Sequence, residues 1–193
     1  MIRRREYPDY PAYLSHQIKK TSNPRLREML LEKWDARVKG FKGEFAALDG
    51  IVPQGVKALC LGARMGEEVQ ALRDLGYNAI GIDLVPYPPM VLTGDFQHMP
   101  FADDRFALVY SNAVDHVFDL ERFAAEIRRV LTTPGWVLAR LAPEHFGRYE
   151  SLAIGTAEPF LEQFSDFQLV SRRDLGEAGL ARKIHLLLHR PAQ

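Results

Sequence analysis

Two short stretches carry residue types at spacings that suit ligand chemistry. In ALCLGARMGEEVQAL, residues 58–72, an apolar strand runs into Gly62, passes Gly66 and continues as an acidic helix start. Glycines at such a turn let backbone N–H groups approach a ligand at a helix N-terminus. A nicotinamide fingerprint needs glycine at 62, 64 and 67, and the sequence offers only the first, with Arg64 and Glu67 at the other two. The spacing G-x-G-x-G needs glycine at 62, 64 and 66 and finds two of its three, which favours a different adenosine cofactor. Asp83, in AIGIDLVP, closes the next apolar strand about twenty residues further on, where a carboxylate can accept from both ribose hydroxyls and disfavours a 2′-phosphate.

The elements that must position these residues follow from periodicity. Residues 1 to 48 read as helical and amphipathic, with Leu26, Leu30, Trp34, Val38 and Phe41 near the helical period, Asn23–Pro24 as a start signal and Gly50 and Pro53 as stops. Beyond them short apolar runs alternate with helical ones: VKALCL, AIGIDL, FALVYSN and WVLARLA as strands, EEVQALRDL and LERFAAEIRRVL as helices. Strands that are apolar throughout and separated by helices imply a parallel sheet covered on both faces. After Pro143 a helix is expected around AEPFLEQF, then strands FQLVSR and KIHLLLHR with DLGEAG as the turn; two strands so closely joined must be antiparallel. The division expected is an N-terminal helical segment, 1–50, packed on a Rossmann-like unit, 51–193.

Composition bounds the function classes. The 193 residues include 25 basic and 25 acidic side chains, for a net charge of zero, so no long-range field gathers nucleic acid or an acidic membrane. Arg3, Arg4, Arg5, Lys19 and Lys20 form the best local basic group and read as solvated terminal charge. No apolar run suits a bilayer span, the start MIRRREYPDYP has no apolar stretch of a secretory leader, and the lone Cys60 fits a reducing cytoplasm. Neither the histidines nor the carboxylates show HExxH or another close ligand spacing, so no metal is expected.

These stretches resemble, in order, the class I S-adenosylmethionine-dependent methyltransferases over roughly residues 55 to 142. LCLGARMGE is similar to that family's first motif and GIDLVP to its ribose-binding strand end. GDFQHMPFADDRFALVYSNAVDHVFD resembles its adenine segment and fourth strand, and FAAEIRRVLTTPGW its helix and Pro-Gly turn before the fifth strand. The resemblance implies an α/β, Rossmann-like three-layer sandwich: a mostly parallel seven-stranded sheet ending in an antiparallel hairpin, with an N-terminal helical cap. It implies S-adenosylmethionine as cofactor and S-adenosylhomocysteine as product. The implied cofactor residues are Gly62, Ala63, Arg64, Gly66, Asp83, Leu84, Asp95 for the adenine amine, Phe96 for the purine face, and Ser111 and Asn112 toward the methionine portion. Two positions depart from the family: Cys60 stands where it usually has an acid, and Arg64 where it has its middle glycine. Arg64 could clamp the cofactor carboxylate or point to water.

Methyl transfer requires an aligned sulfonium and acceptor, with a protein base optional. Asp115, His116 and His145, just beyond the fourth and fifth strands, are the candidates, and Tyr7, Tyr10, Tyr13 and His16 could line an acceptor pocket. Glu67 and Glu68 read as first-turn acids favouring the helix dipole. Methyl transfer to a small-molecule acceptor is the expected activity. The alternatives are a noncatalytic S-adenosylmethionine or S-adenosylhomocysteine binder or partner subunit, and, less favoured by the glycine spacing, a nicotinamide-dependent oxidoreductase.

Overall fold

The strands of the sheet are apolar at nearly every position because both of their faces are covered. In β2 (Lys57–Leu61) Leu59 and Leu61 point to one side and Ala58 and Cys60 to the other, all four fully buried. The first side meets α5 (Leu120–Val130) through Phe123, Ala124, Ile127 and Val130, with Phe160 of α6 (Glu158–Glu162). The second meets α3 (Trp34–Phe45) through Val38, Phe41 and Phe45, and α4 (Glu67–Asp74) through Val69, Ala71 and Leu72. Two apolar cores separated by a sheet make a three-layer α/β sandwich. The computed structural model describes residues 2–175 and 182–192, so residues 176–179 of the expected DLGEAG turn lie outside the described residues.

The sheet has seven strands in the order β4-β3-β2-β5-β6-β9-β8. β3 (Asn78–Asp83), β4 (Val91–Thr93), β5 (Phe106–Ser111) and β6 (Leu131–Leu141) run parallel to β2, and β9 (Lys183–Arg190) is antiparallel to both β6 and β8 (Gln168–Leu175). The expected Rossmann-like sheet with its antiparallel end is therefore present. β4 is the strand that no apolar run announced; it has three residues and follows the proline-rich segment 85–90.

The amino-terminal region differs from a helical reading that begins at residue 1. Arg3–Arg4 forms β1, which pairs antiparallel with β7 (Leu152–Ala153), and helix starts only at α1 (Tyr10–Thr21), capped by the Asp9 side chain accepting from Ala12 N–H at 2.8 Å. The long amphipathic stretch divides at Lys33 into α2 (Pro24–Glu32) and α3, and Asn23 caps α2 at the expected place. Among the described residues no helix is long and apolar enough to cross a membrane.

The basic amino-terminal run is not simply solvated charge. Arg5 donates to the carbonyls of Glu150 at 3.1 Å and Gly147 at 2.7 Å, and Arg3 lies 3.9 Å above the Phe146 ring. Lys20 turns inward to the cleft described next.

Candidate functional site

At the carboxyl ends of β2, β3 and β5 the chain leaves the sheet in loops, and α1 lies across them. Between them is a cleft that opens to solvent. Gly62, Arg64, Asp83, Leu84, Phe96, Ala113 and His116 form its floor, and Tyr13, Gln17, Lys20 and Thr21 of α1 its roof.

Gly62 is required where it stands. Its φ is +73°, and a Cβ there would sit 2.8 Å from that of Ala113. Gly66, at φ +93°, opens α4. Arg64 between them also takes a left-handed backbone, φ +43°, which costs a residue with a Cβ about 1 kcal/mol. Both of its backbone groups hold it there: its N–H donates to Asp83 Oδ2 at 3.1 Å, and its carbonyl accepts from Tyr87 N–H at 3.1 Å. The proline-rich segment thus braces the glycine loop.

Asp83 organises the floor. Its second oxygen accepts from Val85 N–H at 2.9 Å, and only 8% of the residue remains exposed, toward the cleft. Burial raises the carboxyl above its ordinary range while the Val85 and Arg64 N–H groups pull it down. Each oxygen keeps a lone pair for a further donor. Leu84 and Phe96 lie beside it on the floor, and Phe96 is fixed edge-on against Phe123 with ring centroids 5.3 Å apart.

Other implied cofactor residues sit differently. Asp95 does not line the cleft; its Oδ2 accepts from Tyr10 OH of α1 at 2.5 Å, and its Oδ1 from Gln97 N–H at 2.9 Å. Ala63 is fully buried, and Ser111 is buried with its hydroxyl accepting from Ala113 N–H at 3.2 Å. Asn112 follows β5, and its Oδ1 is buried with no hydrogen-bond partner among the described residues. That acceptor, one residue before Ala113 of the floor, is of a kind an ammonium would satisfy, and the fit of the cleft to an S-adenosyl ligand rests on Gly62 and on the remaining lone pairs of Asp83.

Of the candidate bases, His116 lines the cleft, Asp115 stands beside it with Oδ1 3.9 Å from His116 Nε2, and His145 does not line it. His145 is half exposed, with Nε2 3.2 Å from Glu150 Oε1. His116 Nδ1 lies 3.1 Å from the Tyr149 carbonyl, which can only accept, so Nδ1 carries the proton and Nε2 its lone pair. Lys20 Nζ stands 2.5 Å from that Nε2. Burial keeps His116 below the ordinary histidine range, although Asp115 raises it. Asp115, His116 and Glu150 present ligand-type atoms within 4.8 Å of one another, and the cation set against them is the Lys20 ammonium.

The aromatic residues anticipated at the amino terminus do gather. Tyr7, Tyr10 and Tyr13 cluster with Phe118 at centroid distances of 5.2 to 6.2 Å, and Tyr13 alone of them reaches the cleft, its hydroxyl donating to the His116 carbonyl at 3.0 Å. Gln17 is not among the residues expected here, and Lys20, expected as solvated charge, instead lines the cleft. Tyr13, Gln17 and Lys20 fall at i, i+4 and i+7, one face of α1, which is the signal that could have found them. His185 and His189 lie in β9, away from the cleft, with His189 stacked on Trp136.

The backbone contacts of Arg64 do not depend on its side chain, so Arg64→Gly should fold. Relief of the left-handed strain is offset by the greater freedom of glycine in the unfolded chain, and stability should change by less than about 1 kcal/mol. If the guanidinium that lines the cleft grips a carboxylate, S-adenosylhomocysteine should bind about tenfold more weakly, the worth of one charge-assisted hydrogen bond. Calorimetric titration of both proteins checks this; equal affinity would turn the guanidinium to water.

A family described as a methyltransferase domain matches residues 59–139, less than half of the chain. No curated protein matches it. Among solved structures, it is similar to the 1,6-didemethyltoxoflavin-N1-methyltransferase of Burkholderia thailandensis, with its ligand 1,6-didemethyltoxoflavin and S-adenosylhomocysteine bound. That likeness has a TM-score of 0.73 at 14% identity and covers 98% of this chain and 95% of that one. A SAM-dependent methyltransferase of Thermotoga maritima is similar with a TM-score of 0.61 at 15% identity, over 92% of this chain and 99% of that one. The [4+2]-cyclase SpnF is similar over 78% of this chain and 80% of its own, with a TM-score of 0.62 at 17% identity. Likeness at these identities is one of fold: the chain has the class I S-adenosylmethionine-dependent methyltransferase-like fold.

Proposed function

We propose that the protein binds S-adenosylmethionine in the cleft beneath α1 and transfers its methyl group to a small-molecule acceptor, releasing S-adenosylhomocysteine. The observation that carries this reading is the convergence of Gly62 at φ +73° with the buried Asp83 carboxylate on the floor of one cleft. When bound, the cofactor supplies an electrophilic methyl on a sulfonium. Asp83 would hold the ribose hydroxyls, Phe96 would pack on the purine, and Asn112 Oδ1 would accept from the ammonium. Arg64 would face the carboxylate, and α1 would exclude water from above.

The same reading puts the protein in the cytoplasm, supported by a single, fully buried Cys60, and makes neither nucleic acid nor membrane a partner, supported by a net charge of zero. A second reading, binding without methyl transfer, draws on Cys60 and Arg64 at two motif positions, and on the fold being shared with a [4+2]-cyclase.

Saturating S-adenosylhomocysteine, at a hundred times its dissociation constant, should stabilise the protein by about 2.7 kcal/mol and raise the melting temperature by roughly 5–10 °C, with no such shift for NAD. No shift with S-adenosylhomocysteine would sink the cofactor reading. Incubation with methyl-labelled S-adenosylmethionine and an acceptor panel separates the two readings, since only the first predicts labelled product.

A further inference from the structure

Lys20 occupies a position that a solvated surface lysine never needs. It lies on the inner face of α1, with Nζ against the lone pair of His116 Nε2 at 2.5 Å, and it lines the same cleft as Gly62 and Asp83. The tautomer of His116 is set from behind by the Tyr149 carbonyl, so the imidazole is a fixed acceptor aimed at the amine. The charged and titratable groups facing Lys20 come from every surrounding element: Arg64 of the glycine loop, Asp83 at the end of β3, Asp115 and His116 after β5, and Tyr149, its ring centroid 5.9 Å from Nζ, with Glu150 before β7.

We propose that Lys20 accepts the proton of the methyl acceptor, with His116 as its positioning residue, so that the acceptor is a hydroxyl or N–H compound. This rests on the cofactor reading above. As the methyl passes from sulfur to the acceptor oxygen or nitrogen, the C–S electron pair stays on sulfur. The electrons of the O–H or N–H bond stay on the heteroatom, and its proton moves to Lys20 Nζ. Positive charge thereby transfers from the sulfonium to the Lys20 ammonium, which donates to His116 Nε2 with Asp115 and Glu150 nearby. A thioether or tertiary amine has no proton to give and gains nothing from this arrangement.

The amine is suited to the task before any cofactor arrives. Burial, and then the charge of Arg64, bring Lys20 down to about 8, against the pull of Asp115, Glu150 and Asp83 in the other direction. A sulfonium in the cleft adds one more positive charge. At an effective dielectric near 20, a unit charge within about 8 Å lowers the proton affinity of an amine more than tenfold.

S-Adenosylmethionine and S-adenosylhomocysteine differ by one methyl and that one charge, so the pair tests the proposal without a known acceptor. The experiment follows the Lys20 side-chain carbon signals of lysine-labelled protein against pH by NMR. The signal is assigned by its loss in Lys20→Arg, or in Lys20→Met should the arginine not fit. Lys20 is expected to titrate near 8 without ligand and with S-adenosylhomocysteine, and to bind its proton at least tenfold more weakly with S-adenosylmethionine. His116→Ala, which removes the acceptor of the ammonium hydrogen bond, should weaken proton binding several-fold in all three states. Identical titration with the two ligands, or titration at the ordinary lysine value, would overturn the proposal, and an unchanged titration in His116→Ala would overturn the pairing. Calorimetry on the same samples separates causes: if neither ligand binds, the cofactor reading falls and takes this inference with it; if both bind and the titrations coincide, only the inference falls.

Discussion

Asp83→Ala should weaken S-adenosylhomocysteine binding about 100-fold, ~3 kcal/mol, the order expected for losing charge-assisted hydrogen bonds from two ribose hydroxyls. His116→Ala should weaken it less than about tenfold, because the proposed binding mode gives His116 no contact with the cofactor. The Asp83 effect has two parts. One is the loss of the ribose acceptor, and the other is the loss of the anchor for Arg64 N–H and Val85 N–H, which lets the glycine loop and the segment after β3 drift from their binding geometry. Asp83→Asn is expected to be nearly as harmful as alanine. Each carboxylate oxygen accepts from a backbone N–H, so an amide must turn its own NH₂ against one of them. Both variants should lose about 1–2 kcal/mol of folding stability as well. Calorimetric titration with a parallel urea melt measures the two parts, and a larger binding loss in His116→Ala than in Asp83→Ala would remove the ribose contact.

The floor of the cleft was legible in the sequence, and its roof was not. Gly62 and Asp83 are read from where apolar runs stop, because a parallel strand and its loop are local in the chain and their ligand side is set by topology. The sandwich follows from strands such as KALCL and FALVYS, apolar on both faces, and the structure has them at Lys57–Leu61 and Phe106–Ser111. The roof depends on contacts between distant residues, Tyr10 with Asp95 and Lys20 with His116, 85 and 96 positions apart, and no local pattern reports those. The basic run misled for the same reason, since whether a lysine is solvated depends on what its helix packs against. β4, three residues long behind prolines, is too short to show a period.

Glu67 and Glu68 show the same limit most sharply, and they yield the second large effect. Both do open α4, where acids favour the helix dipole, but α3 packs over them and leaves 1% and 3% exposed. Glu67 Oε1 accepts from Arg37 Nε at 2.6 Å. Burial, and then the charge of Glu67, push Glu68 up to about 8. The unfolded chain releases this proton near 4.5, so between about 4.5 and 8 the folded protein binds more protons and its stability falls as pH rises. The contribution is whole below the unfolded value and gone above about 8. His16, His116 and His185, all lowered in the folded protein, act in the opposite sense but only below about 6.5, and Lys20 acts only above about 8. Within the window from pH 6.5 to 8 the shifted groups acting in this sense are the raised carboxyls Glu68 and Asp83, which Glu68→Gln tells apart, and across it Glu68 should cost the wild type on the order of 1–2 kcal/mol, the one-proton slope of ~1.4 kcal/mol per pH unit levelling off near pH 8. Glu68→Gln keeps the shape without the charge, should flatten that slope, and should be the more stable protein at pH 8. Urea melts of both proteins at half-unit steps decide it; parallel slopes would mean that Glu68 finds compensation for its charge, with Arg64 and Arg37 the cations near enough to give it.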